Sequence, residues 1–323
     1  MRVVLFYILI PLLLFVLAFY VWGKSSNLSQ EELHRIEVSA SPLAQSDTIT
    51  VMTYNLGYLS GMTNNQPVKP SRDLFDQNQQ QAIRIIEKYN PEIIGFQEID
   101  FFSKRSYFEN QAENLGNHYA TKVRSVNWDK KYVPFPYWPP SVHFGKMISG
   151  QAIFSKFQVN SSERIVLPGP KAAPFYYRAF YLDRLIQIAQ LSIGKHNLVV
   201  MNVHLEAFDE LTRELQAKEV MSVLEAYAQQ YPVLLMGDFN ARPPFASERV
   251  TEEQTMQLFF NHPLLSSAIS KERYLSEEHQ HFTFDTQAPY EKLDYIFYTK
   301  NFIRPVAAAT ISEAAEISDH LPV

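Results

Sequence analysis

The segment VLLMGDFN, residues 233–240, decides the fold: an apolar run reaches Gly237, and an acidic and an amide residue follow at once. Apolar runs closed by acidic, amide or imidazole side chains recur at Tyr54-Asn55, Phe96-Gln97-Glu98, Asn202-Val203-His204 and Ser318-Asp319-His320. Asp294 differs, because it stands at the start of an apolar run. Open α/β sheets build their sites at strand ends. The pattern therefore predicts one cleft to which several strands contribute polar side chains.

The chain around these motifs alternates strand-like and helix-like segments. Predicted strands cover residues 48–54, 92–96, 152–154, 165–167, 178–193, 197–205, 233–236, 293–298 and 306–311, with a hairpin at Gly194-Lys195. Helical periodicity marks residues 79–89 and 209–230. The inward face of the second helix is predicted to carry Ala217, Val220, Met221, Leu224 and Ala228. This alternation predicts an α/β domain in which two sheets pack together with helices outside.

The N-terminus is a long apolar segment, and residues 3–22 carry no charge. About 20 helical residues just cross a hydrocarbon core of about 30 Å. Tyr20 and Trp22 stand where an interfacial aromatic belt would lie, and Pro11 is tolerated in a spanning helix. We expect an uncleaved transmembrane anchor over residues 1–23. A cleaved signal peptide, disfavoured by the length of the run, and a buried globular helix are the alternatives.

Residues 24–47, rich in Ser, Gln and Glu, are predicted to be a stalk that leads to one catalytic domain over residues 48–323. Arg2 and Lys24 flank the apolar run and compete in setting its orientation. We expect a monomeric, single-pass membrane protein whose catalytic domain lies outside the cytoplasm.

The composition excludes several function classes. The chain has 323 residues, a formal net charge of −5 and no cysteine. Disulfides, thiolate metal sites, a cysteine nucleophile and a Cys-linked lipid anchor are therefore ruled out. The charge disfavours tight nonspecific binding of nucleic acid, which depends on basic side chains. A nuclease stays open, because a bound divalent ion supplies local positive charge.

The strand-end residues offer hard oxygen ligands and imidazoles. Carboxylate and amide oxygens suit Mg²⁺, and neighbouring histidines can move protons. The sequence has no HExxH motif, which argues against a zinc protease. It has neither GxSxG nor GxxxxGK[ST], which disfavours a serine hydrolase and a P-loop NTPase. The set favours a Mg²⁺ site with proton-transferring groups beside it.

Six motifs in order, TYN, GFQE, NVHLE, MGDFN, LDYIF and SDHLP, resemble the endonuclease/exonuclease/phosphatase superfamily. That superfamily includes pancreatic-type deoxyribonucleases, abasic-site endonucleases, neutral sphingomyelinases and inositol-polyphosphate 5-phosphatases. The resemblance runs from Thr48 to Val323, and the ordered set is far more specific than any one motif. It implies a four-layer α-β-β-α sandwich of two mixed sheets. It also implies a Mg²⁺ cofactor, with Mn²⁺ as a substitute.

The resemblance implies roles at matching positions, beginning with the metal and the base. Glu98 matches the principal Mg²⁺ ligand, with Asn55 beside it, and Asp319 matches a further metal-site or water-binding acid. His320 matches the histidine that activates water or contacts the scissile phosphate. Asp294 matches the carboxylate that orients this histidine and raises its basicity.

The remaining matches concern the nucleophile and the leaving group. Asp238 and Asn240 match the pair that positions the nucleophile and holds phosphate oxygens. His204 matches a second histidine of the deoxyribonuclease-like and sphingomyelinase-like members, which would protonate the leaving group. Water would attack phosphorus in line, without a covalent intermediate.

Purely structural interpretations stay open for these residues. Glu98 could be a solvated loop acid, and His204 a hydrogen-bonded core histidine. Asp238 and Asn240 could form a turn after a strand, because both residue types favour turns. Asn55, and Asp319 with His320, could cap turns or helix ends.

Three further features of the sequence bear on the site. Prolines in YVPFPYWPPSVHF, residues 132–144, exclude a regular helix. This segment is either a stiff rim loop that stacks on substrate or enters a membrane interface, or a loop packed on its own core. Arg178, at a predicted strand start, either faces the phosphate or forms a surface ion pair. Superfamily members usually continue past SDHLP through a final strand, so we expect that strand to be short here or to lie beyond Val323.

The predicted activity is Mg²⁺-dependent hydrolysis of a phosphodiester. A lipid headgroup is the favoured substrate because the anchor holds the domain near headgroups, and nucleic acid, cleaved by an extracytoplasmic endonuclease or deoxyribonuclease, is the main competitor. A sugar or inositol phosphate monoesterase ranks third. A catalytically silent, membrane-tethered binding module is the alternative from another class; it requires a lost metal or histidine position, and none is visibly lost.

Overall fold

A computed structural model describes residues 2–39, 48–247 and 253–323, and for residues 2–5 the backbone alone. The first of two sheets contains the strands β1 (His34–Val38), β2 (Val51–Asn55), β3 (Ile93–Asp100), β4 (Thr121–Val133) and β5 (Gly145–Ser155). Their order is β1-β4-β5-β3-β2. Only the β2–β3 pair is parallel among these pairings, so the sheet is mixed.

The second sheet contains the strands β6 (Gln158–Val166), β7 (Leu185–Ile193), β8 (His196–His204), β9 (Val233–Asp238), β10 (Leu265–Ser267) and β11 (Asp294–Thr299). Their order is β10-β11-β9-β8-β7-β6. The β8–β9 pair is parallel and its neighbours are antiparallel. Each sheet therefore contains one parallel pair, and both pairs contribute residues to the site described below.

The helices are α1 (Arg2–Gly23), α2 (Arg72–Tyr89), α3 (Gln111–Leu115), α4 (Phe175–Phe180), α5 (Glu210–Ala228), α6 (Thr255–Phe260) and α7 (Lys271–Ser276). Ile86 of α2 and Ala112 of α3 are buried with residues of the first sheet. Val220 of α5 is buried with residues of the second sheet. A third apolar cluster joins the sheets, with Ile153 from one and Met236 from the other. The predicted four-layer α-β-β-α order is confirmed.

Most predicted elements are present, and several are longer than predicted. Helix α2 begins before the predicted start at residue 79, because the Ser71 side chain accepts a hydrogen bond from Leu74 N and caps the helix. Helix α5 buries the predicted inward residues Ala217, Val220, Met221, Leu224 and Ala228. The sequence did not predict β4, because its polar residues Arg124, Asn127 and Asp129 are also buried and hide the alternation expected of a strand.

Three predictions about elements are wrong. Residues 178–193 are not one strand, because Arg178 N donates to Pro174 O and the aromatic run forms α4 before β7 begins. Residues 306–311 follow Pro305 and form no strand in the described chain; Val306 is exposed. Residues 34–38 of the expected stalk form β1, which pairs antiparallel with β4. The part of that stalk at residues 40–47 lies outside the described residues.

Helix α1 is long and apolar enough to cross a membrane, with a mean hydropathy of 2.3 over Phe6–Gly23. A signal sequence meets the same criterion. The C-terminal end of α1 contacts the catalytic domain, where the Phe19 and Tyr132 rings lie 5.3 Å apart. The helix is therefore continuous with an aromatic surface of the domain.

Candidate functional site

The two parallel strand pairs end at the same place between the sheets. In the first sheet, Asn55 of β2 is level with Gln97 of β3, and Glu98 follows. In the second sheet, His204 of β8 is level with Asp238 of β9. Asn55 Nδ2 donates to Asp238 Oδ2 at 2.9 Å, so a direct hydrogen bond joins the sheets at the site.

The antiparallel register of β11 explains the position of Asp294. Asp294 at the start of β11 is opposite Asp238 at the end of β9. A residue at a strand start therefore reaches the same edge as residues at strand ends. His320, from the chain after the last strand, then completes the group.

The Glu98 side chain owes its direction to a distorted backbone. The register of β3 against β5 shifts between Phe96 and Ile99, and Glu98 has a φ of 50°. The left-handed region costs a non-glycine residue about 1–2 kcal/mol, and bulges re-aim side chains near active sites. This strain is a local cost that accompanies the placement of a carboxylate in the cleft.

Two glycines allow the close approaches that the site needs. A Cβ on Gly237 would lie 1.9 Å from Val203 O, so the GDFN motif needs glycine where β9 pairs with β8. Gly57 has a φ of +49°, and its added Cβ would lie 2.6 Å from Asp319 Oδ1. A side chain at either position would therefore collide with atoms in or beside the site.

His320 and Asp294 form a buried pair. His320 Nδ1 lies 2.8 Å from Asp294 Oδ2. His320 Nε2 lies 3.9 Å from Asp238 Oδ2 and faces the cleft. Burial opposes the charged imidazole, but the carboxylates of Asp294 and Asp238 raise the pKa of His320 well above its ordinary value. The pair holds the ring in one orientation, as proton transfer at Nε2 requires.

Asp238 lies at the centre of the polar group. Its Oδ1 accepts from Asn240 N at 2.9 Å, and its Oδ2 accepts from Asn240 Nδ2 at 3.4 Å. His204 Nε2 lies 3.5 Å from Asp238 Oδ2. Burial raises the pKa of Asp238 to about 6, with the charge of Asp294 acting in the same direction. Asn240 also donates to Leu205 O at 3.0 Å, which links β8 to the loop after β9.

Glu98 and Asp319 form the more open, acidic side of the cleft. Asn64 Nδ2 donates to Glu98 Oε2 at 3.0 Å and to Asp319 Oδ2 at 3.1 Å. Burial, and then the charge of Asp319, raises the pKa of Glu98 to about 7. Two carboxylates that share one amide group keep free lone pairs and repel each other, which a divalent cation would relieve. The donor set therefore fits a hard metal ion.

A second acidic group lies beside it. Ligand atoms of Asp238, Asp294 and His320 lie within 4.8 Å of one another. His320 is already bound to Asp294, and Asp238 to Asn55, so these side chains are held by other partners. The side formed by Glu98 and Asp319 is the better cradle for a hard cation.

His204 is buried in the cleft beside Glu98 and Asp238. Burial, and then the charges of Arg184 and His320, hold the pKa of His204 well below its ordinary value. Its Nδ1 has no hydrogen-bond partner among the described residues, and its Nε2 lies 3.8 Å from Glu98 Oε1. A negatively charged substrate would favour the protonated imidazole, because an opposite charge raises the pKa of a histidine.

The structure brings all eight predicted residues to this cleft: Asn55, Glu98, His204, Asp238, Asn240, Asp294, Asp319 and His320. Asn64 was not predicted from the sequence, because a turn-rich run such as MTNN has no strand before it to mark it. Arg184 was not predicted either; it is a buried arginine whose Nη1 has no hydrogen-bond partner in the described chain. Arg178, which we considered for the phosphate, is exposed in α4.

The aromatic segment 132–144 has a packed base and an exposed tip. Phe144 is buried in a cluster with Trp128, and Phe135 packs against that cluster. Tyr137 and Trp138 are exposed at the tip. The base of this loop is therefore packed on its own core, and its tip is exposed to solvent.

We expect divalent-ion affinity to fall as the pH is lowered from about 8 to about 6. Metal binds the ionised carboxylates, and the pKa of Glu98, about 7, is raised above its ordinary range. Protons therefore compete with metal below pH 7, and affinity falls about tenfold per pH unit for each proton displaced. Calorimetric titration of the full chain with Mn²⁺ in buffers of different ionisation enthalpy checks this. An affinity that does not change across this range would contradict it.

Comparison with known proteins gives a consistent picture of fold and family. Among proteins of curated function, none matches this chain. Solved structures with the same fold include a mannosyl-6-phosphatase of Bacteroides thetaiotaomicron, with a TM-score of 0.58, 16% identity and coverage of 85% of this chain and 97% of that chain. An endonuclease/exonuclease/phosphatase of Beutenbergia cavernae has a TM-score of 0.60, 18% identity and coverage of 85% and 69%. The human Nocturnin catalytic domain has a TM-score of 0.53, 19% identity and coverage of 90% and 95%.

The family model spans the motifs that build the cleft. It matches residues 52–320, from β2 to the histidine that pairs with Asp294. The match covers most of the chain and leaves α1 outside it. The chain belongs to the Endonuclease/Exonuclease/phosphatase family.

Proposed function

We propose that this protein is a membrane-anchored, Mg²⁺-dependent phosphodiesterase. The observation that carries the proposal is the meeting of Glu98 and Asp319, a hydrogen-bonded His320–Asp294 pair and a second histidine in one cleft. Family membership supports a hydrolytic phosphoesterase. Mn²⁺ is expected to substitute for Mg²⁺.

Each residue of the cleft has a separate role in the proposed reaction. Glu98 and Asp319, with Asn55 beside them, would hold the ion, which supplies positive charge to the phosphate oxygens. His320 Nε2 faces the cleft and, as the neutral imidazole that a bound cation would favour, accepts a proton from the attacking water, while Asp294 stabilises the imidazolium. Asp238 and Asn240 orient the water and the phosphate. His204, once protonated beside the anionic substrate, donates a proton to the leaving oxygen.

Arg184 adds a positive charge on the same side as His204. Its guanidinium is buried, its Nη2 lies 3.2 Å from Tyr181 Oη and its Nε lies 3.6 Å from Glu206 Oε2, while Nη1 has no partner among the described residues. Arginine donors suit phosphate oxygens. We infer that Arg184 binds a non-bridging phosphate oxygen, the role that sequence analysis considered for Arg178.

Release of product from a phosphodiester panel tests the proposal. The full chain in detergent should hydrolyse at least one of bis-p-nitrophenyl phosphate, DNA, sphingomyelin and phosphatidylinositol phosphates when Mg²⁺ is present. EDTA should abolish this hydrolysis, and added Mg²⁺ or Mn²⁺ should restore it. Hydrolysis indifferent to EDTA would overturn the metal-dependent mechanism. Faster hydrolysis of sugar or inositol phosphate monoesters than of every diester would favour a phosphomonoesterase, an activity named for the Bacteroides neighbour.

The anchor and its orientation form a separate part of the proposal. The length and hydropathy of α1 support a single transmembrane pass. We propose that the catalytic domain lies outside the cytoplasm. The protein should stay in the membrane after alkaline carbonate extraction. Protease added to intact cells should then digest the catalytic domain, and a protected domain would reverse the orientation. Release by carbonate would instead favour a cleaved signal peptide.

A further inference from the structure

Five exposed aromatic side chains lie on three segments of the catalytic domain, namely the 132–144 loop, α4 and the loop after β8. Phe208, Trp138, Phe175, Tyr137 and Tyr176, which we call the aromatic face, are 79%, 77%, 68%, 65% and 57% exposed. A single exposed aromatic residue is ordinary, but a group of them marks an interaction surface. Trp and Tyr settle at membrane–water interfaces, because one end of each side chain is apolar and the other is polar.

The aromatic face is continuous with the apolar helix. The ring of Tyr20 in α1 lies 6.1 Å from that of Phe175 and 5.7 Å from that of Phe180. The Trp22 ring lies 6.1 Å from that of Tyr132, which begins the aromatic loop. A helix that crosses a bilayer and ends against these rings places them at the bilayer surface.

Hydrogen bonds hold the two outer segments of the aromatic face, the 132–144 loop and the loop after β8. Tyr132 Oη lies 2.9 Å from His143 Nδ1, and His143 Nε2 lies 3.3 Å from Tyr137 O, which fixes the loop tip that carries Trp138. At the other end, Phe208 N donates to Glu206 Oε1 at 3.1 Å.

The same contacts lead from the aromatic face to the cleft. Tyr181 directly follows α4, and its Oη donates to Glu206 Oε1 at 2.9 Å. Arg184 Nη2 donates to Tyr181 Oη, and Arg184 directly precedes β7, in which Ile186 is paired with Val203, the residue before His204. The aromatic face, α4 and the catalytic histidine therefore lie on one continuous side of the domain.

We propose that the aromatic face rests on the bilayer crossed by α1, and that the site hydrolyses the headgroup phosphodiester of a lipid in that bilayer. This inference rests on the proposed function, since it needs both the anchor and the hydrolytic site. The bilayer is the occupant because α1 leads directly into the face. The anchor and the face then hold the domain at two points, which limits its rotation and keeps the cleft near the headgroups.

Spin labels in the full chain test the position of the face directly. The chain has no cysteine, so Trp138→Cys, Phe208→Cys, Leu13→Cys and Val306→Cys each give one labelled site. Leu13 lies in α1, and Val306 is exposed outside the aromatic face. In phosphatidylcholine bilayers, labels at 13, 138 and 208 should be relaxed by oxygen more than by an aqueous nickel chelate, and the label at 306 should show the reverse.

The labels separate failure of the inference from failure of the proposed anchor. The labels at 138 and 208 could show the same relaxation as the label at 306 while the label at 13 lies in the bilayer. The face then does not touch the membrane and the inference is overturned, but the proposed anchor stands. If 13 is also aqueous, the anchor fails and the inference fails with it.

Hydrolysis by a double variant, Trp138→Ser with Phe208→Ser, tests the substrate. In phosphatidylcholine vesicles that contain sphingomyelin and phosphatidylinositol, lipid hydrolysis should fall about tenfold or more, because a domain anchored by α1 but no longer held by the face presents its cleft to the headgroups less often. Hydrolysis of soluble bis-p-nitrophenyl phosphate should stay within about twofold of wild type. An equal fall on both substrates, or no fall on either, would overturn the inference. So would a wild-type enzyme that cleaves DNA or soluble diesters but none of the vesicle lipids, although the proposed phosphodiesterase would survive.

Discussion

Glu98→Gln should reduce metal-dependent hydrolysis and divalent-ion affinity by more than about 100-fold. Mutation of residues that only hydrogen-bond to metal ligands already lowers metal affinity or activity by about 10–100-fold, and Glu98 is a proposed ligand itself. The substitution keeps the shape of the side chain and the contact with Asn64 but removes the charge that the ion needs. Calorimetric titration with Mn²⁺ and initial rates on bis-p-nitrophenyl phosphate measure the two effects. Exposed Glu87→Gln on α2 is the matched control, and its activity should be unchanged.

Stability distinguishes loss of function from loss of fold. The pKa of Glu98 is raised to about 7 by burial and by Asp319, so the ionised carboxylate destabilises the metal-free protein. Glu98→Gln should therefore leave the metal-free thermal midpoint at neutral pH unchanged or higher, while the gain in midpoint on adding Mn²⁺ disappears. A variant that keeps wild-type activity, or keeps the stabilisation by metal, would remove Glu98 from the metal site.

His320→Gln should reduce turnover by about 10²–10⁴-fold, the usual contribution of a general base. Asp294 holds His320 Nδ1 at 2.8 Å and raises the pKa of the imidazole, so a neutral amide cannot replace its proton-accepting Nε2. Single-turnover rates at saturating Mg²⁺ measure the loss. Exposed His196→Gln, at the start of β8, is the matched control.

The two variants should differ in their dependence on metal. His320 is not among the proposed metal ligands, so divalent-ion affinity should not fall in His320→Gln. Its residual rate should also lose the part of the pH dependence that reports the essential base. A rate within tenfold of wild type, or a loss that high Mg²⁺ restores, would exclude His320 as the base.

The pattern of apolar and polar residues predicted those elements whose formation depends mainly on residues close to one another in the sequence. Helix α5 was predicted with its buried residues, because the 3.6-residue repeat of Ala217, Val220 and Leu224 needs no knowledge of its partners. The segments 178–193 and 306–311 were misassigned for a related reason. Aromatic and β-branched residues favour strands, but a strand also needs a paired neighbour, and Arg178 and Val306 have none in the described chain.

In the cleft, too, the residues marked by local sequence were predicted and those placed by distant contacts were not. Its acidic, amide and imidazole residues were predicted because each follows an apolar run or belongs to an ordered family motif. Asn64 and Arg184 were not, because one lies in a turn and the other precedes a strand that was misplaced. Their positions depend on which distant side chains they meet, such as Glu98 and Asp319 for Asn64.

The sequence by itself therefore determined the family, the apolar N-terminal segment and the residue types of the site. Tertiary structure alone decided that Asp294 faces Asp238, since only the antiparallel register of β11 puts a strand start beside a strand end. It also decided that Asn55 and Asp238 bond across two sheets, and that the rings of Tyr132 and Phe175 meet the end of α1. Periodicity along a chain encodes which face is apolar, whereas contacts between distant segments are set by how the sheets and helices pack.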